Sequence, residues 1–228
     1  MGLIELQNVA KTYPGPRGGI VALHDISLKI NAGEFVAVIG PSGSGKSTLL
    51  TVLGAMNPPT SGKVIVDGID IYDLSNDRQA DFRRAYLGFV FQQQHLIQHL
   101  SAMENVMLPL VVTPMNGSKK ERARQSLLEV GLADRELHLP GQLSGGEQGR
   151  VAIARAIVND PPIILADEPT GNLDSQTGRE ILGLLMALNK RGRTIIMVTH
   201  NDEAWSLASR VVTIRDRVIV ADEERCGH

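Results

Sequence analysis

Apolar positions recur with two different periods along the chain, and each change of period marks an element. Residues 2–13 carry Leu3, Ile4, Leu6 and Val9 in loose alternation, and residues 20–30 carry Ile20, Val21, Leu23, Ile26, Leu28 and Ile30. Both read as antiparallel strands joined through Tyr13-Pro14-Gly15-Pro16. A turn at Asn31-Ala32-Gly33 leads into a strand over 34–39. After a glycine-rich run at 40–48, Leu49, Leu50, Val52 and Leu53 recur at helical spacing and predict a helix from 46 to about 56. Asn57-Pro58-Pro59 ends it, 63–67 and 69–71 form a hairpin across Gly68, and 77–85 reads as a short charged helix. Residues 87–91 form a buried strand. From about 96 to 158 the period is helical, with capping-box spacing at Ser101…Glu104, Ser118…Glu121 and Ser144…Glu147. This helical insertion is followed by strands at 163–168 and 194–199, which flank a helix at about 175–190 with Ile181, Leu184, Leu185 and Leu188 on one face; short strands near 210–222 come last.

Composition narrows the class. With 228 residues, 43% apolar and only 4% aromatic, the chain is expected to bury one aliphatic core, with room for a subdomain. A net charge of −2 supplies no global basic field, so nucleic-acid binding is not expected. Lys119, Lys120, Arg122 and Arg124 are interleaved with Glu121 and Glu129 and read as a solvated face. No apolar run is long enough to cross a bilayer and the start lacks a secretory core, so the expectation is a cytoplasmic chain able to dock on a membrane protein. Cys226, the one cysteine, reads as an incidental tail thiol of a reducing compartment.

The candidate chemistry sits at strand ends. Gly40-Pro41-Ser42-Gly43-Ser44-Gly45-Lys46-Ser47-Thr48 matches GxxxxGK[ST] between a predicted strand and a predicted helix. Such a loop turns its N–H groups onto phosphate oxygens; Lys46 then reaches the outer phosphates and the Ser47 hydroxyl can bind Mg²⁺. Tyr13 either stacks on a base or is a half-buried strand-end tyrosine. Gln92, at the end of a core strand, can place its amide oxygen on a metal or simply begin a polar loop. Leu143-Ser144-Gly145-Gly146-Glu147 opens a helix with two glycines after the cap, a second phosphate-binding device or a plain helix entry. Asp167 and Glu168 end an apolar strand as adjacent carboxylates, suited to holding a metal through water and to polarising an attacking water. Asp174 can cap the next helix, and His200, at a further strand end, is placed to contact a γ-phosphate.

Taken in order, these motifs resemble the nucleotide-binding subunit of ATP-binding cassette (ABC) transporters over essentially the whole chain. The resemblance implies an α/β P-loop NTPase fold in one domain, 1–228. Its RecA-like core and small antiparallel β subdomain would span about 1–95 and 159–228, and an α-helical subdomain about 96–158. It further implies an ATP-dependent homodimer, head to tail, with ATP between the phosphate loop of one copy and the signature residues 143–147 of the other. Lys46 would hold the β and γ phosphates, Ser47 and Gln92 would bind Mg²⁺, Asp167 would orient the metal through water, Glu168 would be the general base, and His200 would hold the γ-phosphate. The partner would be an integral membrane permease, with the chain peripheral on the cytoplasmic face of the inner membrane. Glu-Pro-Thr-Gly-Asn-Leu-Asp and Val-Phe-Gln-Gln-Gln-His-Leu are similar to the lipoprotein-release, macrolide-export and antimicrobial-peptide-resistance group. The alternative is a regulatory module of a cell-division-type complex that moves no substrate. One departure stands out: Gly149 replaces a glutamine usual in that group, which is expected to loosen the signature helix and remove a contact to the other subunit or the permease.

Overall fold

The computed structural model describes residues 2–15, 19–112 and 118–225; Pro16 of the predicted turn and Cys226 lie outside them. The two predicted N-terminal strands pair as expected: β1 (Ile4–Tyr13) runs antiparallel to β2 (Ile20–Ile30), with Ile4 opposite Ile30 and Tyr13 opposite Ile20. Next come β3 (Phe35–Ile39) and α1 (Lys46–Leu53), then the hairpin β4 (Ser61–Val66) and β5 (Ile69–Asp70). Helix α1 stops short of the predicted 56, where Ala55 turns into left-handed backbone at φ 52°. Strands β1, β2, β4 and β5 make a four-stranded sheet in the order β2-β1-β4-β5.

The second sheet is threaded through the rest of the chain. α2 (Asn76–Tyr86) precedes β6 (Leu87–Val90), and after the insertion come β7 (Ile163–Asp167), α6 (Ser175–Lys190), β8 (Thr194–Val198), β9 (Arg210–Arg215) and β10 (Val218–Glu224). The order is β10-β9-β3-β8-β7-β6, parallel from β9 to β6, with β10 antiparallel at one edge. The period of two in its buried strands divides the side chains between two cores. Phe35, Ala37, Ile164, Ala166, Ile195 and Met197 join one apolar cluster with the insertion and α6, whereas Val36, Val38, Ile163, Leu165, Ile196 and Val198 join another with α1 and the four-stranded sheet. A short α7 (Asp202–Trp205), capped by Asn201, was not anticipated.

The insertion contains α3 (Ala102–Met107), α4 (Lys119–Glu129) and α5 (Gly145–Ile157). Its last helix also belongs to the sheet: a Cβ at Gly88 of β6 would lie 2.5 Å from the Ala156 carbonyl oxygen, so strand and helix touch backbone to backbone. The Ser101 and Ser144 capping boxes form completely. At Ser118 only half does, because the hydroxyl accepts from the Glu121 N–H while the Glu121 carboxylate is taken by Arg124 and Gln125. The basic face of α4 is likewise not simply solvated. Arg122 donates to the Val158 carbonyl at 2.6 Å and Arg124 makes two hydrogen bonds to Glu136, at 2.8 and 3.1 Å, so both cations hold α4 to neighbouring chain. Among the described residues no helix is long and apolar enough to cross a membrane.

Candidate functional site

The loop between β3 and α1 follows a path that side chains would block. Gly40 has φ +147° and a Cβ there would stand 2.0 Å from the Ile214 carbonyl oxygen; Gly45 has φ +107° and its Cβ would stand 2.3 Å from the Ala22 carbonyl oxygen. Glycine alone lets the loop pass between β9 and β2 and enter α1. Lys46 Nζ donates to the carbonyls of Gly40 and Pro41 at 2.8 and 3.0 Å, which places its ammonium at the mouth of the loop. Ser44 Oγ is buried with no hydrogen-bond partner among the described residues, an open polar atom inside the cradle.

Two neighbouring strands, β7 and β8, deliver the rest. The Ser47 hydroxyl donates to Asp167 Oδ1 at 3.3 Å, joining α1 to the end of β7. Burial, the dominant cause, pushes the Asp167 carboxyl up from its ordinary range, and the neighbouring Glu168 charge adds to it, against the Ser47 hydrogen bond and the Lys46 charge. Glu168 adopts φ +45°, an uncommon conformation for a side-chain-bearing residue, and its N–H donates to the Val198 carbonyl at 2.9 Å. The strained backbone sends the carboxylate toward the end of β8, where Oε1 lies 2.7 Å from His200 Nδ1. A cavity of about 650 Å³ is lined by loop residues 40–43 and 45–48 together with Glu168 and His200.

Not every predicted residue reaches that cavity. Tyr13 is outside its lining; the hydroxyl accepts from Asn57 and the ring faces Lys11 Nζ, 5.2 Å from the centroid. Gln92 is also outside, its amide against Gly171, where a Cβ would be 2.8 Å from Nε2. Ser44 and Asp167 are not among the lining residues. The signature residues are elsewhere: Ser144 and Gly145 are exposed at the start of α5, Leu143 and Gly146 are buried beside them, and Glu147 is held low in pKa chiefly by the Ser144 N–H, with Arg135 assisting at 3.1 Å. Asp174 caps α6, accepting from the Gln176 and Thr177 N–H groups and from the Thr177 hydroxyl.

A phosphate-binding loop, a hydroxyl–carboxylate pair and a carboxylate–histidine pair in one cavity are the parts of a nucleotide site, and a family model described as ABC transporter matches residues 23–171. The chain belongs to the ABC transporter family. It is 50% identical over 219 residues to the uncharacterized ABC transporter ATP-binding protein MJ1508 of Methanocaldococcus jannaschii, covering 96% of this chain and 98% of that one. It is 49% identical over 223 residues to the macrolide export ATP-binding/permease protein MacB of Chlorobium luteolum, covering 98% of this chain and 34% of that one. The chain thus spans about a third of the length of the macrolide-export relatives it matches. Among solved structures, the dimeric ABC cassette MJ0796 matches at TM-score 0.91 and 44% identity, covering 99% of this chain and 100% of that one. A post-hydrolysis dimer of that cassette, bound to ADP and Pi, matches at 0.90.

Within this ABC cassette, motif reasoning missed the residues that wall the cavity beyond the loop: Ile20, Val21, Ala22, Val198 and Arg217. Most come from ordinary strand positions. Arg217 left one signal, a charged Asp216-Arg217 pair between two short apolar alternations, the length of a two-residue hairpin turn. Gly149 also takes a different place from the expected one. It is buried, and a Cβ there would be 3.2 Å from Ile181 Cδ1, so it faces α6. Metal donors fit a phosphate-dependent cation. No cluster of three or more His, Cys, Asp or Glu side chains suited to a metal occurs among the described residues, whereas Ser47 and Asp167 place a hydroxyl and a carboxylate oxygen side by side, as Mg²⁺ needs when phosphate oxygens and waters complete its shell.

Proposed function

We propose that this chain binds and hydrolyses ATP as the nucleotide-binding subunit of a membrane export complex. The observation that carries the reading is the cavity that joins the phosphate loop to the Glu168–His200 pair while the Ser144–Gly145 helix start stands outside it. The N–H groups of the loop and Lys46 bind the phosphates, with the dipole of α1 adding to them. Ser47 and Asp167 would hold Mg²⁺, which would neutralise phosphate charge there. Glu168 accepts the proton of the attacking water, and His200 Nδ1 fixes one oxygen of that carboxylate.

Residues 143–147 of a second copy complete the site, so that ATP closes a head-to-tail dimer and hydrolysis reopens it. The partner is a membrane permease, as the paired ATP-binding/permease name of the macrolide-export relatives suggests, and the chain docks on it from the cytoplasmic face. A groove of about 510 Å³ lined by Phe89, Phe91, His95 and Arg155 lies next to the segment 92–103 that would receive a cytoplasmic helix of that permease. Replacing the base tests the mechanism. Glu168→Gln is expected to slow hydrolysis by about 10²- to 10⁴-fold, to retain ATP binding, and to accumulate an ATP-dependent dimer in size-exclusion chromatography. A monomer unchanged by saturating ATP would overturn the dimer.

A further inference from the structure

Part of the nucleotide cavity is not used by phosphate chemistry. In the sheet order, β8 and β7 lead to His200 and Glu168 on one side of β3, while β9 leads to the hairpin turn Asp216-Arg217 on the other. The loop residues 40–48 follow β3 itself, so Arg217, Ile20 and Val21 form the wall opposite the hydrolytic pair. Ile20 and Val21 are 57% and 39% exposed, an apolar surface with nothing over it among the described residues.

Arg217 occupies that wall at a steric cost. The turn between β9 and β10 has φ 50° at Asp216 and 72° at Arg217. Two positive φ values are what a two-residue hairpin turn of this hand requires, and glycine is the residue suited to the second position. An arginine there is strained, and strain of this kind concentrates at functional sites. Its position is also fixed. The Arg217 carbonyl accepts from the His24 N–H at 2.8 Å, which ties the turn to β2 two residues past Ala22, whose carbonyl lies against Gly45 of the phosphate loop. The guanidinium makes no ion pair or hydrogen bond among the described residues.

We propose that Arg217 is a nucleotide-contacting residue whose planar guanidinium covers the base of the bound nucleotide, with Ile20 and Val21 as the apolar side of the same sleeve. The assignment rests on the ATP reading above. A guanidinium stacks on an aromatic base as a cation against a π face, and it loses less freedom in doing so than a lysine would.

Arg217→Gly separates the contact from the strain. Binding of ATP and of inorganic tripolyphosphate is measured by calorimetry, and the melting temperature without ligand by scanning calorimetry. The variant is expected to bind ATP roughly two- to fivefold more weakly, the size of an exposed cation–π contact, to bind tripolyphosphate as the parent does, and to melt at a higher temperature because glycine accepts φ 72° without strain. Unchanged ATP affinity overturns the proposal, and an equal loss for ATP and tripolyphosphate overturns it in favour of a phosphate contact. Lys46→Ala, run beside it, tests the underlying site: if it leaves ATP binding intact, the phosphate-loop reading fails whatever Arg217 does.

Discussion

Gly146 and Gly149 lie one turn apart on the face of α5 that meets α6, yet the neighbours a methyl group would meet differ in kind. At Gly146 a Cβ would be 2.3 Å from Thr177 Cγ2. Thr177 cannot turn aside cheaply, because its hydroxyl donates to Asp174 at 2.6 Å and its N–H to the same cap. Gly146→Ala is therefore expected to destabilise by about 1–3 kcal/mol through overpacking. At Gly149 the obstacle is Ile181 Cδ1, 3.2 Å away and at the free end of a side chain, and alanine replaces the poorest non-proline helix former. Gly149→Ala is expected to stabilise by up to about 1 kcal/mol. Urea midpoints that move in opposite directions for the two variants would confirm the distinction. Spacing of three on a helix was visible in the sequence; which face the glycines took was not. That depends on where α6 comes to rest, and the period of α5 carries no information about it.

Among elements, those built from local rules were legible and those held by distant contacts were not. The strands over 34–39, 163–168 and 194–199 and the complete capping boxes at Ser101 and Ser144 formed because short apolar runs and cap spacing act within a few residues. The phosphate loop was legible for the same reason. The segment after β6 is different. It follows no period, and its backbone is held from α5, where Arg155 donates to the carbonyls of His95 at 2.8 Å and Gln94 at 2.6 Å. This cation joins the helix that opens with Ser144 to the loop that begins with Gln92, sixty residues away in sequence. Burial lowers the pKa of Arg155, and the two carbonyls take the place of water around its charge. Arg155→Ala is expected to cost about 2 kcal/mol in a denaturant titration and to speed amide exchange over residues 92–96 while leaving the β1–β2 pair protected. Arg155→Lys, a single point donor without the fork, should recover only part of that protection.

At the scale of the molecule the six-stranded sheet divides two cores, and the titrating groups are divided with them. The order β10-β9-β3-β8-β7-β6 was beyond sequence reading, since each pairing of the inner strands joins stretches far apart in the chain. Carboxylates held low in pKa cluster on the helical side: Glu104 by the Ser101 N–H, Glu136 by Arg124, Glu147 by the Ser144 N–H, and Asp174 by Thr177. A carboxylate whose folded pKa is depressed adds stability above its unfolded value, about 4.3 for glutamate and 3.9 for aspartate, and loses it as the pH falls through the lower folded value. Asp167, in the sheet, has the opposite sign. Burial pushes its carboxyl up, so protonation on acidification favours the folded form. The four surface carboxylates are solvent-screened and individually weak, but three of them act at the caps of α3, α5 and α6 and Glu136 acts on the chain joining these helices. Acidification from pH 5 to pH 3 is therefore expected to lower amide protection factors in the helical layer before those of β3, β7 and β8. Hydrogen exchange with mass spectrometry, corrected for intrinsic rates, reads the two layers separately. Simultaneous loss in both layers, or earlier loss in the strands, would show that the caps do not govern the acid response. Glu136→Gln, which removes one depressed carboxylate and the pair with Arg124, should flatten the pH dependence of the helical layer while leaving that of the strands as it was.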